Sequence, residues 1–176
     1  AVEPDPAPTT ESVTAALEML KSATSPLIMV GRVSRNQADW DRRVAFVEAL
    51  GANVITNQRI AAAFPTHHPL HPNHLNYRTT AEDEALIRGA DVILNLDWLD
   101  FGGTINAAGG VGAKIISISM DDLNSNGWSF DHHVLPAVDL PILSTPDSFV
   151  ASALPQLPEG EKRTYSIASS APPTGS

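Results

Sequence analysis

Apolar positions in this chain come in two textures, short unbroken runs and longer stretches with a helical repeat. Leu27–Val30, Asn53–Thr56, Asp91–Leu96, Lys114–Ser119 and Leu140–Ser144 are rich in Ile, Val and Leu and show almost no period-two alternation. Strands covered on both faces read this way, because neither face is left to polar side chains. Between these runs the spacing changes. Thr10–Ala23 carries Val13, Leu17 and Leu20 at i, i+4 and i+7, and Asn36–Leu50 repeats the pattern with Trp40, Val44 and Val47 before Gly51. Each predicts a helix with one apolar stripe, the second ended by its glycine. A third helix is expected to open at Thr79-Thr-Ala-Glu82, where a hydroxyl and a carboxylate three residues apart can satisfy each other's free N–H groups. The last opens at Thr145-Pro146-Asp147, with a hydroxyl cap, a proline that has no N–H to lose and an acid set against the helix dipole.

The stretch from 26 to 57 decides the class. An apolar run stops at Gly31, an amphipathic stretch follows, and a second apolar run opens after Leu50-Gly51, which makes a strand–helix–strand unit with parallel strands. The expectation is an α/β fold: a Rossmann-like, doubly wound parallel sheet of five or six strands flanked by helices. Leu27–Val30 and Asp91–Leu96 should be central neighbours, and Pro141 argues that the last run lies at an edge.

Composition sets the limits. The chain has 176 residues, 43% of them apolar, enough for one core, and no apolar run approaches the roughly 18–20 residues of a membrane span. A single domain over 10–157 is expected, with Pro-, Ala-, Ser- and Gly-rich linkers at 1–9 and 158–176. Eleven basic residues stand against 20 acidic ones, a net charge of −9, which argues against a nucleic-acid partner. With no cysteine there is no disulfide, thiolate metal site or cysteine nucleophile. That fits a reducing compartment, and the opening AVEPDPAPTTES lacks the parts of a signal peptide, so a cytoplasmic location is expected.

Open parallel sheets take ligands beyond the carboxyl ends of their strands, where strand order reverses. Gly31, Arg32, Thr56, Asn57 and Asp97 therefore mark the candidate cofactor crevice. Gly31 would let backbone approach a phosphate, Arg32 could pair with it, and Asp121 or Asp122 could accept from ribose hydroxyls. The loop Gly31-Arg-Val-Ser-Arg35 has one glycine where a dinucleotide fingerprint needs three, so an empty crevice is expected. His67, His68, His71 and His74 form the densest titratable cluster, but Pro65, Pro69 and Pro72 interrupt them and no carboxylate lies between Phe64 and Thr80. They read as a surface loop without a metal. Asp97-Trp98-Leu99-Asp100 looks like a carboxylate pair, yet no nucleophile or base is placed with it, and solvated loop acids are expected. Asp131, His132 and His133 read as a loop, and Trp40, Trp98 and Trp128 as packing residues.

The order of these features resembles the central domain of thiamine diphosphate-dependent enzymes, the family of acetolactate synthase, pyruvate oxidase and benzoylformate decarboxylase. The residues that carry the likeness are Ala15–Ala23, Pro26–Arg32, Val47–Thr56, Ala63-Phe-Pro-Thr-His-His-Pro69, Ile87–Leu94, Ile115–Asp121, Val138-Asp-Leu-Pro141 and Leu154-Pro-Gln-Leu157. The resemblance implies a parent of three α/β domains, homodimeric or homotetrameric, in which thiamine diphosphate and Mg²⁺ are bound by flanking pyrimidine- and diphosphate-binding domains. The Gly-Asp-Gly segment that holds diphosphate in the family is missing from this sequence, so a fragment or excised domain, not catalytic alone, is implied. Its parent would be a 2-oxo acid carboligase or decarboxylase, a transferase or lyase. Some members bind FAD or ADP in this domain; here Leu70-His-Pro-Asn-His-Leu-Asn-Tyr77 departs from the glycine- and methionine-containing stretch of the flavin-binding members, and neither nucleotide is expected. The alternative is a free-standing Rossmann-like nucleotide- or flavin-binding protein; a sirtuin is disfavoured, since its cysteine zinc site cannot exist here.

Overall fold

Five parallel strands in the order β2-β1-β3-β4-β5 carry the architecture. A computed structural model describes residues 6–57, 60–72, 79–121 and 137–158. In chain order the elements are α1 (Thr10–Ser22), β1 (Pro26–Val30), α2 (Gln37–Leu50), β2 (Asn53–Thr56), α3 (Ala81–Gly89), β3 (Val92–Leu96), α4 (Phe101–Ala107), β4 (Lys114–Ser119), β5 (Leu140–Leu143) and α5 (Pro146–Ala153), followed by a 3-10 turn, Leu154–Gln156. Each expected strand is present within a residue of its predicted bounds, β1 and β3 are neighbours, and β5 with Pro141 is an edge.

Because the strands alternate sides at each residue, the sheet buries two separate cores. On one face Leu17 and Leu20 of α1, Phe46 and Val47 of α2 and Phe149 and Val150 of α5 cover Ile28, Val30, Leu94, Leu96, Ile116 and Ile118. Phe46 and Phe149 meet edge to face, their ring centres 6.1 Å apart. On the other face Ile87 of α3 and Phe101 and Ile105 of α4 cover Leu27, Met29, Ile55, Ile93 and Ile115. Burial on both faces explains the uninterrupted apolar runs.

Four features depart from or add to the expectations. α2 buries Arg43, Phe46, Val47 and Leu50; of the expected Trp40, Val44 and Val47 only Val47 is fully buried, and Trp40 and Val44 are half-buried. α3 is capped by Thr80 and Asp83, not by Thr79 and Glu82: Thr80 Oγ1 accepts from the Asp83 N–H at 3.2 Å, and Asp83 Oδ2 accepts from the Thr80 N–H at 2.9 Å. Aspartate's shorter side chain serves the same reciprocal bond as glutamate. α4 had no periodic signal, since Phe101-Gly-Gly-Thr-Ile-Asn-Ala107 holds two glycines; burial of Phe101 and Ile105 and the Asp100 cap, which accepts from Gly103 N–H at 3.2 Å, hold it instead. Asp147 does more than face a helix dipole. Its Oδ1 pairs with the fully buried Arg43 at 2.5 Å and its Oδ2 accepts from the Ser34 N–H at 2.6 Å, while Arg43 also donates to Ala63 O at 2.9 Å and Ser34 O at 3.1 Å.

Candidate functional site

The register sets the carboxyl ends of the strands side by side. Thr56 is level with Val30, Val30 with Leu96, and Leu96 with Ile118. One residue further on, Asn57, Gly31, Asp97 and Ser119 therefore form a row across β2, β1, β3 and β4. The chain runs from β1 to β2 on one side and to β3 on the other, so strand order reverses between Gly31 and Asp97.

The two strand ends are in close contact. Gly31 N–H donates to Leu96 O at 2.9 Å and Arg32 N–H to Asp97 O at 3.0 Å. A Cβ on residue 31 would overlap the Asp97 carbonyl and the Trp98 Cα, so the glycine is required by the approach of another strand's backbone. Asp97 itself adopts φ 54°, left-handed backbone that aspartate tolerates better than most residues.

Above this contact lies an ion pair. Arg32 Nε is 2.8 Å from Asp97 Oδ2, and Arg32 Nη2 donates to Asp97 Oδ1 at 2.9 Å. Ser119 Oγ donates to the same Oδ1 at 2.8 Å and accepts from the Asp121 N–H at 2.9 Å. The Asp97 side chain is 15% exposed and that of Arg32 52%. The hydrogen bond to Asp97 raises the basicity of the guanidinium; partial burial opposes the rise, and the charges of Asp97 and Asp121 add to it.

Of the sequence-derived residues, Gly31, Arg32 and Asp97 come together, and Asn57 ends the row. Thr56 points to the opposite face, where its Oγ1 is 3.0 Å from His71 Nε2. His71 is 3% exposed, and its Nδ1 lies 3.0 Å from Pro65 O. A carbonyl only accepts, so a neutral ring carries its proton on Nδ1 and accepts from the Thr56 hydroxyl at Nε2. The expected surface loop is thus partly internal: His71 packs edge-on against Phe64, and His68 reaches Glu48 Oε1 at 3.2 Å. Nor are Asp97 and Asp100 solvated loop acids, since the first holds Arg32 and the second caps α4. Trp98 is buried, as expected of a packing residue. His74, Asp122, Trp128, Asp131, His132 and His133 lie outside the described residues.

The sequence reading missed the polar support beneath the row. Asn95 and Ser117 are buried inside β3 and β4, with Asn95 Nδ2 donating to Ser117 Oγ at 3.1 Å and Asn95 Oδ1 accepting from Trp98 N–H at 2.7 Å. The signal was present in the runs VILNL and KIISIS, where a polar residue interrupts positions that should be apolar on both faces.

The chemistry of the row is that of a clamp. Asp97, the acid of the row, already serves Arg32 and Ser119, and a guanidinium beside it repels a cation. Among the described residues no group of three or more His, Asp or Glu side chains is placed to hold a metal. A Mg²⁺–diphosphate group therefore does not fit the described donors of this row. A cavity of about 440 Å³ opens at the other end of the sheet, between the starts of β1 and β2 and the α3 helix, and is lined by Pro26, Leu27, Asn53, Glu82 and Leu86 among others.

With this geometry in view, the comparisons with known proteins agree on one architecture. The family model described as "Thiamine pyrophosphate enzyme, central domain" matches residues 13–150. Sulfoacetaldehyde acetyltransferase of Alcaligenes xylosoxydans xylosoxydans is 35% identical over 120 residues, 64% of this chain and 20% of that protein. A Mycobacterium smegmatis protein assigned to the thiamin diphosphate-dependent enzymes superposes with a TM-score of 0.66 at 20% identity, covering 93% of this chain and 31% of that one. Benzoylformate decarboxylase from Polynucleobacter necessarius gives 0.63 at 22%, covering 93% and 30%. At such identities the two solved structures speak for the fold. The chain spans about a fifth of the length of the curated relative it matches.

Proposed function

The chain belongs to the thiamine pyrophosphate enzyme central-domain family, and from that premise we propose that it is the structural middle domain of a thiamine diphosphate-dependent carboligase or decarboxylase of 2-oxo acids. The observation that carries this reading is the family match over 13–150 on a domain whose switch-point charges satisfy each other. Such a domain supplies a rigid block on which flanking domains can be set.

In this reading thiamine diphosphate, with Mg²⁺, is bound by the pyrimidine- and diphosphate-binding domains of a cytoplasmic homodimeric or homotetrameric parent. The cofactor supplies the carbanion chemistry there, and the present residues hold the flanking domains in place. A transferase is favoured over a lyase by the curated relative, whose name is that of an acetyltransferase. A free-standing nucleotide-binding protein is disfavoured by the family match.

The test is made on the longest polypeptide encoded by the reading frame that contains this chain. Purified with thiamine diphosphate and Mg²⁺, it should turn over pyruvate, with sulfoacetaldehyde assayed beside it, whereas residues 1–176 alone should neither turn over substrate nor bind the cofactor in calorimetry. Saturable thiamine diphosphate binding by the isolated chain would overturn the reading.

A further inference from the structure

We propose that Asp97 is a built-in ligand of Arg32 that closes the switch point between β1 and β3 to phosphate-bearing molecules, so that this end of the sheet is an interstrand clamp and not a nucleotide site. The inference rests on the crevice alone and stands or falls independently of the parent's chemistry.

A phosphate at a switch point needs four things: room for close approach, loop N–H groups pointing into the crevice, an available cation and an open helix N-terminus. Around Gly31 and Arg32 each is already used. The room left by the missing Cβ of Gly31 is taken by the Asp97 carbonyl and Trp98 Cα. The N–H groups of Gly31 and Arg32 are spent on Leu96 O and Asp97 O. The guanidinium faces both oxygens of Asp97, the same two-point geometry with which arginine grips phosphate. At the start of α2 the Asn36 side chain accepts from the N–H groups of Ala38 and Asp39, at 2.9 and 3.4 Å, so that helix end is capped from within.

Electrostatics point the same way. A phosphate arriving at Arg32 would meet Asp97, whose position is fixed by Ser119, and a second acid, Asp121, close enough to raise the basicity of Arg32. To bind, it would have to displace a carboxylate that is 15% exposed and part of the chain, and therefore present at a high effective concentration. Asp97 is the specificity-determining residue: it sets which anion Arg32 holds.

Removal of the resident carboxylate tests this. Wild-type chain titrated with inorganic pyrophosphate and with ADP should show no saturable heat or thermal shift at millimolar ligand, and the Arg32 Nε–H resonance should stay in place. Asp97→Asn keeps the shape and the left-handed backbone but removes the charge, and should bind pyrophosphate at least roughly tenfold more tightly than wild type, about 1.4 kcal/mol. Arg32→Ala in that background should abolish the gain. If Asp97→Asn loses its far-UV circular dichroism, Asp97→Gly gives the same readout, since glycine accepts positive φ without steric strain. Saturable ADP binding to wild type that moves the Arg32 resonance would overturn the proposal. So would failure of both folded variants to bind pyrophosphate.

Discussion

Arg32 and Asp97 are 65 residues apart in sequence and share two contacts, Nε to Oδ2 at 2.8 Å and Nη2 to Oδ1 at 2.9 Å. Their strands are neighbours because β1 pairs with both β2 and β3, and the pair forms where those two crossovers diverge. The ion pair is half-exposed on the arginine side, so it contributes modestly to stability, on the order of 1 kcal/mol or less. Its larger consequence is positional.

Gly31→Ala should be costly although its backbone is not left-handed. The new methyl would meet the Asp97 carbonyl and Trp98 Cα, which are backbone and cannot swing aside. A loss of about 1–3 kcal/mol is expected from forced overpacking. Urea unfolding of the variant against wild type measures it, and a change within error would show that the β1 and β3 ends separate easily.

Arg43→Ala should rank among the most damaging substitutions. Burial lowers the pKa of Arg43, and the charges of Asp147 and Asp39 work in the opposite direction. The guanidinium is fully buried and joins Asp147 to the Ser34 and Ala63 carbonyls. Its removal strands a carboxylate and two carbonyls at about 3–5 kcal/mol. In a double-mutant cycle with Asp147→Ala the two losses should fall well short of adding.

Acid should weaken the domain partly through Asp91. Burial would raise its pKa, but N–H groups of Thr24 and Ser25, with its own and that of Val92, outweigh it and leave the pKa lowered. A folded pKa below the unfolded one gives stability that is complete above the unfolded value and is lost as pH falls through the folded value. The stability gap between wild type and Asp91→Asn should therefore narrow from neutral pH to about pH 3. A gap that widens on acidification would contradict this assignment.

His71 should act as a structural residue. Its replacement by Ala leaves the Thr56 hydroxyl and Pro65 carbonyl without this partner and opens a hole beside Phe64, at about 2–3 kcal/mol. Exhaustive dialysis against a chelator should leave the melting temperature of wild type unchanged. A drop restored by Zn²⁺ would assign the histidines to a metal.

The sequence by itself determined the strands, their parallel sense and most helix starts. A strand covered on both faces must be apolar at every position, and a cap is a bond between residues three apart, so both are written locally. It also placed Gly31, Arg32 and Asp97 at strand ends on the same side of the sheet. What it could not hold was partnership. Whether Arg32 meets a ligand or Asp97, whether Arg43 faces water or Asp147 from 104 residues away, and whether Thr56 faces the crevice or His71 depend on strand order, register and pleat. α4 with its two glycines likewise exists through burial of Phe101 and Ile105. Local spacing fixes which elements form; only the packed sheet decides which side chains meet, because contacts between distant residues are set by topology and by the exclusion of water from the space between them.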